Sequence, residues 1–423
     1  MATAAMVAIR RAFPKAKIVH LMRRYVDEVL KHSHLSDESV YWPDAETDGG
    51  HFRLIRRLRA ASFDVAVLFT NSFRSAAVAR MAGARRRVGY ARDGRGWLLT
   101  DRLNPPRANG QYKPVPALDY YNEIARFLGC DEPGNQLTLA TGPEDEEAID
   151  HRLGRIEAGR PLVVLNPGAN YGSAKCWPAE KYAALAAMIT ESFGARVVAS
   201  LSPKERDIAD RLSTAAKSPI DVFVNPPLGL GPLKALIKRA NLLITNDTGP
   251  RHFAAAFDVP VVTVFGSSDP AWTETRHPKE RIAKLSLECQ PCMERTCPLK
   301  HHKCMADLPV EQVFAEVSLL MSGTRSIGSG DSSAPRLEVL NTKRCLLQIS
   351  CLSIRPFARS CAKPASTPWS PCFAAEASTS PRGVERVTRS AAESMSWTQP
   401  YSSSDITILV GASVFAECCA ERF

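Results

Sequence analysis

The chain has 423 residues, of which 45% are hydrophobic and 23% are charged, and its formal net charge is +10 at pH 7. This length exceeds what one hydrophobic core usually supports, so we expect two domains with additional material. No apolar run reaches the roughly 20 residues that a membrane-spanning helix requires, and the first residues lack the pattern of a signal peptide. The sequence therefore predicts a cytoplasmic protein and argues against a membrane-spanning or secreted one.

The positive charge suits a polyanionic partner, which would be a phosphorylated small molecule, an anionic membrane surface or a nucleic acid. The sequence has no zinc-finger spacing, no aromatic and basic RNA-binding signature, and no basic region followed by heptads. We therefore predict that nucleic acid is not the partner. The sequence leaves the oligomeric state open.

Residues 1–150 have the pattern of an incomplete α/β domain. Their predicted elements are a helix at residues 4–13, strands at 16–21 and 63–69, and a helix at 118–128. An irregular, proline-containing stretch precedes the last helix and leads to the end of the domain.

Residues 151–322 alternate strands and helices more regularly. The predicted strands are residues 161–166, 195–201, 220–224, 242–245 and 259–265, and the predicted helices are residues 179–193, 205–215 and 233–240. Such alternation is typical of a parallel, doubly wound sheet, which binds its ligand at the carboxyl ends of the strands. Two domains of this kind that face each other would enclose a cleft.

Residues 323–423 form a tail of different character. They are rich in Ser, Ala, Pro and Arg, show no sustained periodicity, and contain half of the 12 cysteines. A disulfide scaffold is not expected, because nothing else indicates secretion. We predict that this tail is disordered, and the apolar run at residues 406–415 is the main argument for further structure there.

The most informative motif is a polar turn between a strand and a helix, in the segment NLLITNDTGPRHFAAAFDVPVVTV at residues 241–264. Pro250 suits the first helical turn, where its missing N–H costs nothing. Free backbone N–H groups at the positive end of a helix favour a phosphate, which Gly249 lets approach closely, while Thr248 adds a hydroxyl and His252 points to the same mouth. In the alternative interpretation the polar residues only cap the helix and His252 is packed.

A second turn of the same kind follows an earlier strand, in the segment LNPGANYGSAKCWP at residues 165–178. Its glycines permit a tight loop, and Asn170 and Lys175 offer a donor and a mobile cation to a diphosphate. The loop lacks the spacing of a Walker A motif. Two such turns on successive strand–helix units of one sheet would converge on one crevice.

Three segments, NPGANYGSAKCWPAEKY, TNDTGPRHFAAAF and VFGSSDP, together resemble glycosyltransferase family 9, and in particular its heptosyltransferase II members. In the first domain, LFTNSFRSAAVARMAGARRRVGY followed by GWLLT is similar to the acceptor-side domain of that family. The resemblance spans residues 1 to about 320. It implies a GT-B fold of two Rossmann-like domains facing a cleft. It also implies inverting, cofactor-independent transfer of heptose from ADP-L-glycero-D-manno-heptose to the heptosyl-Kdo-lipid A core of lipopolysaccharide.

The resemblance also assigns roles to individual residues. The donor diphosphate would be bound by Asn170, Thr248, Gly249 and His252. Lys175 would stabilise the charge of the departing ADP, and Asp247 would contact the sugar nearby. These last two are the predicted catalytic side chains.

Two further assignments each have an alternative. Glu205 would receive the ribose hydroxyls of the donor, as acidic residues often do in such folds, or it would only favour the start of its own helix. The run Arg85, Arg86 and Arg87 would meet phosphates of the acceptor, or it is ordinary solvated charge.

The beginning of the sequence departs from the family pattern. Members start with a strand and a loop containing a Gly-Asp pair, and both are absent before residues 1–13. The general base of the family, that Asp, would lie upstream of Met1, and no residue replaces it by motif. The first strand of such a sheet is central, so its neighbours would have unpaired edges. We expect the chain as written to be inactive or nearly so, and a version extended upstream to be active. The alternative is a non-catalytic, nucleotide-sugar-binding remnant that lacks the general base.

Four cysteines cluster in the segment CQPCMERTCPLKHHKC, at Cys289, Cys292, Cys297 and Cys304. One interpretation is a structural zinc site, although the spacing matches no standard finger. The other is a set of reduced thiols in the crossover between the domains. A catalytic metal is not expected.

Overall fold

A computed structural model describes residues 1–43, 49–155, 157–169, 171–325 and 407–411. In the first domain the helices are α1 (Thr3–Ala12), α2 (Arg24–Leu30), α3 (Gly50–Ala60), α4 (Phe73–Met81) and α5 (Ala117–Phe127). Its strands are β1 (Lys17–Met22), β2 (Glu38–Tyr41), β3 (Val65–Leu68), β4 (Arg86–Tyr90) and β5 (Asp101–Leu103), followed by a hairpin of β6 (Arg107–Ala108) and β7 (Gln111–Tyr112). A 3-10 helix at Arg95–Leu98 lies between β4 and β5.

In the second domain the helices are α6 (Pro143–Leu153), α7 (Ala179–Phe193), α8 (Arg206–Ala215), α9 (Leu230–Arg239), α10 (Gly249–Ala256), α11 (Lys303–Ala306) and α12 (Val310–Arg325). Its strands are β8 (Leu162–Asn166), β9 (Arg196–Ser200), β10 (Asp221–Phe223), β11 (Leu242–Asn246), β12 (Val261–Val264) and β13 (Glu280–Ala283). Short 3-10 helices lie at Ser173–Lys175, Pro203–Glu205 and Pro270–Trp272. The last strand of the described chain, β14, is Thr407–Gly411.

The sheet of the second domain has the order β10-β9-β8-β11-β12-β13, with every strand parallel to its neighbours. The chain therefore fills one half of the sheet outward from β8 and then returns to start the other half at β11. In sheets of this kind the ligand crevice lies where the strand order reverses, outside the carboxyl ends of the two central strands. The structure confirms the predicted doubly wound sheet and places this point between β8 and β11.

The sheet of the first domain has the order β2-β1-β14-β3-β4-β5, again with parallel pairs. Its central strand comes from the far end of the sequence: Lys17 to Leu21 pair with Thr407 to Gly411 on one side, and Val65 to Leu68 pair with Ile408 to Gly411 on the other. If β14 is counted as the first strand, the two sheets have the same strand order.

This strand corrects two expectations from the sequence. The neighbours of the expected gap, β1 and β3, are paired across β14, and residues 407–411 of the predicted disordered tail are part of the core. The physical reason is that the run TILV matches a position buried on both faces, so Ile408, Leu409 and Val410 are only 2%, 1% and 1% exposed. The rest of the predicted tail after Arg325 lies outside the described residues.

Each sheet is covered by helices on both faces. In the first domain Ile18 and Ile408 pack against α1 and α5, while Val19 and Leu409 face the opposite core, which includes residues of α3 and α4. In the second domain Ile149 packs with residues of β8 and α9, so the domain boundary predicted at residue 150 falls inside α6. Among the described residues, no helix is both long enough and apolar enough to cross a membrane.

Candidate active site

The two polar turns singled out in the sequence meet in the structure. Their strands β8 and β11 are hydrogen-bonded neighbours, with Thr245 opposite Asn166. The fully buried Asn246 joins the two turns, because its amide nitrogen donates to the carbonyl oxygens of Pro167 at 2.7 Å and Gly168 at 3.2 Å. Its amide oxygen accepts a bond of 3.1 Å from the hydroxyl of Tyr182. The predicted convergence of the turns on one crevice is therefore confirmed.

A buried ion pair lies at the meeting point. The ammonium of Lys175 is 2.7 Å from Oδ2 of Asp247, and the two side chains are only 6% and 4% exposed. Oδ2 also accepts a 2.8 Å bond from the hydroxyl of Ser268, and Nη1 of Arg251 is 3.2 Å from Oδ1. Burial alone would raise the pKa of Asp247, but the charges of Lys175 and Arg251 outweigh burial and hold that pKa at about 2. Asp247 is therefore ionised at neutral pH.

Arg251 extends this pair into a network that the sequence analysis missed. The side chain of Arg251 is 1% exposed, and its Nη2 donates at 3.1 Å to Oε2 of Glu280, whose Oε1 accepts a 2.7 Å bond from the hydroxyl of Thr263. Lys175, Asp247, Arg251 and Glu280 thus form a buried set of two cations and two anions. The spacing of four residues between Asp247 and Arg251 at a helix start could have indicated their ion pair from the sequence. Nothing in the sequence connects Glu280 to them.

The start of α10 faces the same crevice. Thr248 is the extended residue before the helix, and its side chain makes no hydrogen bond to cap the first turn. Its hydroxyl instead contacts the hydroxyl of Thr245 at 3.1 Å. Apart from its chain neighbours and the backbone of its own helix, no described atom lies within 4 Å of the position that a Cβ on Gly249 would take. These contacts favour an open anion site over the alternative interpretation, in which the turn only caps its helix.

His252 is buried beside this helix start. It lines an apolar cavity of about 90 Å³ together with Met6, Val26 and Tyr121 of the first domain, so the cavity lies between the two sheets. Burial lowers the pKa of His252 well below its usual value, and the nearby Arg251 acts in the same direction. Its imidazole is therefore neutral at neutral pH. This environment agrees with the alternative interpretation, in which His252 is packed.

Glu205 lies beside the first turn and serves its own helix as well. Its Oε2 accepts 2.8 Å bonds from the backbone N–H and the hydroxyl of Ser202, which close a capping box. The same carboxylate lies so close to Gly168 that a Cβ added to this glycine would be 2.0 Å from Oε1 of Glu205. The contacts with Ser202 show the capping role, and the ribose-binding role of Glu205 stays a prediction. Asn170, the remaining residue of this turn with a predicted role, lies outside the described residues.

The structure does not bring the arginine run to the crevice. Arg86 is the first residue of β4 and pairs with Val65 at the start of β3, so the run lies at the amino edge of the sheet. Arg86 is 2.6 Å from Asp101, and Arg87 donates to the carbonyl oxygens of Ala84 and Leu98. Arg85, whose side chain is 71% exposed, is 3.5 Å from Asp64. The contacts favour ion pairing and solvated charge over the predicted acceptor site.

The segment that carries the cysteines covers the first turn. The hydroxyl of Tyr171 donates at 2.7 Å to the carbonyl oxygen of Met293, and the backbone N–H of Ala174 donates at 3.1 Å to that of Arg295. Gly172 lies so close that an added Cβ would stand 2.2 Å from the same Arg295 oxygen. The cysteine segment therefore holds the loop that carries Lys175.

The four cysteines of this segment share one neighbourhood as free thiols. Burial raises the pKa of Cys304, and the neighbouring Cys292, Cys297 and Cys289 add to that effect through their charges. In the part of the chain that the structure describes, no group of three or more His, Cys, Asp and Glu side chains is arranged to hold a metal ion. The structural zinc site stays a prediction.

Comparison with known proteins agrees with this architecture. Residues 51–303 match the family model of glycosyltransferase family 9 (heptosyltransferase). The chain is 32% identical over 173 residues to lipooligosaccharide heptosyltransferase 2 of Campylobacter jejuni. This alignment covers 40% of the present chain and 54% of that protein. It is 29% identical over 283 residues to lipopolysaccharide heptosyltransferase 2 of Salmonella typhimurium. This alignment covers 65% of the present chain and 80% of that protein. The match with the first of these spans about half the length of that relative.

Among solved structures, ADP-heptose lps heptosyltransferase II of E. coli superimposes with a TM-score of 0.64 at 22% sequence identity, over 77% of this chain and 95% of that one. At this identity the likeness shows the fold, which is GT-B as the sequence predicted. The family model covers more than half of the chain, and the fold agrees with it. The chain therefore belongs to glycosyltransferase family 9.

Proposed function

We propose that the protein is an inverting glycosyltransferase that transfers heptose from an ADP-heptose donor to the inner core of lipopolysaccharide, with heptosyl-Kdo-lipid A as the acceptor. The observation that carries this proposal is the pairing of Lys175 with Asp247 beside the open start of α10, at the point where the strand order of the second sheet reverses. The family match and the names of the heptosyltransferase relatives support the choice of donor and acceptor.

The donor diphosphate would lie at the start of α10. There the backbone N–H groups of Thr248 and Gly249, just before Pro250, would donate to a bound anion, and the helix dipole favours its charge. The buried network already balances its two cations with two anions, so the helix start supplies the additional positive potential that the diphosphate needs. Asn170 would complete the proposed diphosphate site, and the packed, neutral His252 would support the helix start that forms it.

Lys175 and Asp247 would act together during transfer. When the bond between heptose and ADP breaks, negative charge grows on the departing diphosphate, and the ammonium of Lys175 can stabilise it. Asp247 keeps that ammonium in place before the donor binds, since the two groups are 2.7 Å apart. With donor present, the ionised Asp247 carboxylate would accept hydrogen bonds from sugar hydroxyls. Glu205, beside the same loop, would receive the ribose hydroxyls.

Transfer also requires a group that takes the proton of the acceptor hydroxyl. A chain without such a group would bind the nucleotide sugar without transferring it, and this is the second candidate function. Both functions use the same donor site and differ only in the chemical step. In either case we propose a cytoplasmic protein that works at the inner face of the inner membrane.

Two measurements on the full chain distinguish these functions. Isothermal titration calorimetry with ADP and with ADP-heptose measures the donor site, and transfer to heptosyl-Kdo-lipid A measures turnover. Donor binding with turnover supports the transferase, and donor binding without turnover supports the second candidate. The matched control is the Lys175→Met variant, which should lose affinity for both nucleotides. A folded wild-type chain with no affinity for ADP would refute both functions.

A further inference from the structure

Three aromatic side chains of the first domain are exposed to solvent. The exposed fractions are 71% for Phe52, 48% for Phe73 and 61% for Trp97. We call these three residues the aromatic edge. Large apolar side chains that stand in water in one region of a surface usually mark a binding surface.

The fold places the aromatic edge on one side of the sheet. Phe52 lies in the first turn of α3, which follows β2, and Phe73 begins α4, which follows β3. Trp97 lies in the 3-10 helix that follows β4. Because parallel strands end at the same edge, all three residues lie at the carboxyl edge of the first sheet. The start of α1, which lines the cavity shared with His252, lies at that edge too.

The aromatic edge is held together by direct contacts. The rings of Phe73 and Trp97 are 6.0 Å apart, and the guanidinium of Arg80 lies 6.0 Å from the centre of the Trp97 indole. Arg74, next to Phe73, contacts His51, next to Phe52. Phe73 and Trp97 therefore belong to one continuous surface, and Phe52 lies on the neighbouring helix α3, which Arg74 contacts through His51.

A buried arginine fixes this surface in place. Arg95 is fully buried, and its guanidinium donates to the carbonyl oxygens of Tyr90 at 2.9 Å and Ser72 at 3.3 Å, and also to that of Thr70. These bonds tie the helix that carries Trp97 to the loop that begins α4. The rings therefore stand on a rigid support. Little conformational entropy of side chains and loops would be lost when this surface binds a partner.

The surroundings of the aromatic edge are strongly basic. Residues 51–100 contain eleven arginines and only two acidic residues. The run at residues 85–87 lies at the opposite edge of the sheet and Arg95 is buried, so the basic side chains beside the aromatic edge are the exposed arginines of α3 and α4. Arg53, Arg56, Arg74 and Arg80 are exposed on α3 and α4, the two helices that carry Phe52 and Phe73. Basic residues are attracted to an anionic membrane surface, and aromatic rings prefer the depth of the lipid headgroups.

We propose that the aromatic edge and its arginines are the surface through which this protein docks on an anionic lipid bilayer. This inference rests on the proposed function, because an acceptor anchored in lipid must reach the cleft from the membrane. Docking at the carboxyl edge of the first sheet brings the bilayer to the side where the acceptor would enter. This arrangement suits a membrane surface. The rings of the aromatic edge would lie at the depth of the lipid headgroups, and the guanidinium groups would contact the lipid phosphates.

The test is binding of the full chain to vesicles, measured by flotation. We expect binding to phosphatidylcholine vesicles that contain phosphatidylglycerol, weak binding to phosphatidylcholine alone, and loss of binding as salt is raised. The double variant Phe73→Ser with Trp97→Ser should bind about tenfold more weakly or worse, and so should Arg56→Ser with Arg80→Ser. The matched control is Leu299→Ser with Leu319→Ser, because these residues are 59% and 57% exposed in the second domain. This control should bind like the wild type.

Calorimetric affinity for ADP separates this proposal from the proposed function, because neither pair of substitutions touches the donor site. Weak vesicle binding with unchanged ADP affinity is the expected result for both surface variants. Equal binding of the wild type and the Phe73→Ser, Trp97→Ser variant to anionic vesicles would overturn the docking proposal and leave the donor site untouched. A concentration-dependent dimer that the same double variant dissociates would also overturn it, since the aromatic edge would then be a contact between two chains.

Discussion

The ammonium group of Lys175 lies 2.7 Å from the carboxylate of Asp247, and the two residues belong to different turns that come together only because β8 and β11 are neighbours. Replacing Lys175 by Met should lower the free energy of unfolding by about 3 kcal/mol, because Asp247 loses its closest cation in a buried place. ADP affinity should fall at least about tenfold. Urea unfolding and calorimetry measure the two effects.

A double variant separates stability from binding at this pair. Lys175→Met combined with Asp247→Asn removes the uncompensated charge, so it should regain much of the lost stability while ADP affinity stays low. If the single Lys175→Met variant bound ADP as well as the wild type, the assignment of Lys175 to the diphosphate would be wrong.

Gly249→Ala tests the open start of α10 without disturbing the fold. Apart from its chain neighbours and its own helix backbone, no described atom lies within 4 Å of the added methyl group, so the unfolding temperature should stay within a few degrees of that of the wild type. The methyl would instead meet a diphosphate that approaches the backbone closely, and ADP affinity should fall by about tenfold. Thermal unfolding and calorimetry on the same preparation provide both values. Unchanged affinity would place the diphosphate elsewhere.

Leu409→Asp tests the central strand of the first sheet. Leu409 is 1% exposed on a strand buried on both faces, so a carboxylate there should cost more than about 4 kcal/mol of unfolding free energy. The matched control at the neighbouring position, Ile408→Val, should cost only about 1 kcal/mol. Urea unfolding followed by circular dichroism measures both variants. Equal stability of Leu409→Asp and the wild type would show that the strand does not fill this position.

The stability of the protein should depend on His20 in acid. His20 is 1% exposed, neither of its ring nitrogens has a hydrogen-bond partner among the described residues, and burial, with help from Arg10, lowers its pKa to about 4. An unfolded histidine titrates near pH 6.5, so the unfolded chain takes up the proton first as the pH falls. The stabilisation by neutral His20 is therefore complete above about pH 6.5 and declines toward pH 4, by roughly 3 kcal/mol in total.

Urea unfolding at several pH values between these limits measures this effect. His20→Leu should flatten the slope of stability against pH, whereas His151→Leu, at an exposed position of α6, should not change it. A slope that stays the same in the His20→Leu variant would contradict the prediction.

The cysteine segment offers a test that includes the donor site. If the thiols of Cys289, Cys292, Cys297 and Cys304 hold a structural zinc, the purified protein should contain about one zinc per chain by elemental analysis. Replacing Cys292 and Cys297 by Ser should then remove the metal and weaken ADP binding, because the segment covers the loop that carries Lys175. Zinc far below one per chain, with ADP affinity unchanged in the variant, would favour reduced structural thiols.

The sequence was most informative where local pattern and burial agree. β8 spans residues 162–166 and β9 spans 196–200, within one residue of the predicted strands, because these β-branched runs are buried on both faces. The turns after β8 and β11 were recognisable from residue types alone, since proline and glycine mark a helix start there. The convergence of Lys175 and Asp247 followed from the parallel topology.

Elements with weak local patterns were not predicted. α3 has four arginines among eleven residues, and only Gly50, Leu54 and Leu58 are buried, so its apolar stripe is narrow. β4 begins with Arg86 and Arg87, whose charges obscure its strand character. Contacts such as that between Arg251 and Glu280 depend on tertiary structure and have no local signal.

The position of β14 has a consequence for biosynthesis. Thr407 donates a hydrogen bond to Asp64 across 343 residues of sequence, and β14 is made after every other described element. All described elements of the second domain have been synthesised once α12 is complete, whereas the first sheet still lacks its central strand. At about 5–20 residues per second, the roughly 80 residues between them take several seconds to translate. During that interval the nascent chain exposes two unpaired strands, so the domain encoded first would be the last to close and the one most in need of a chaperone.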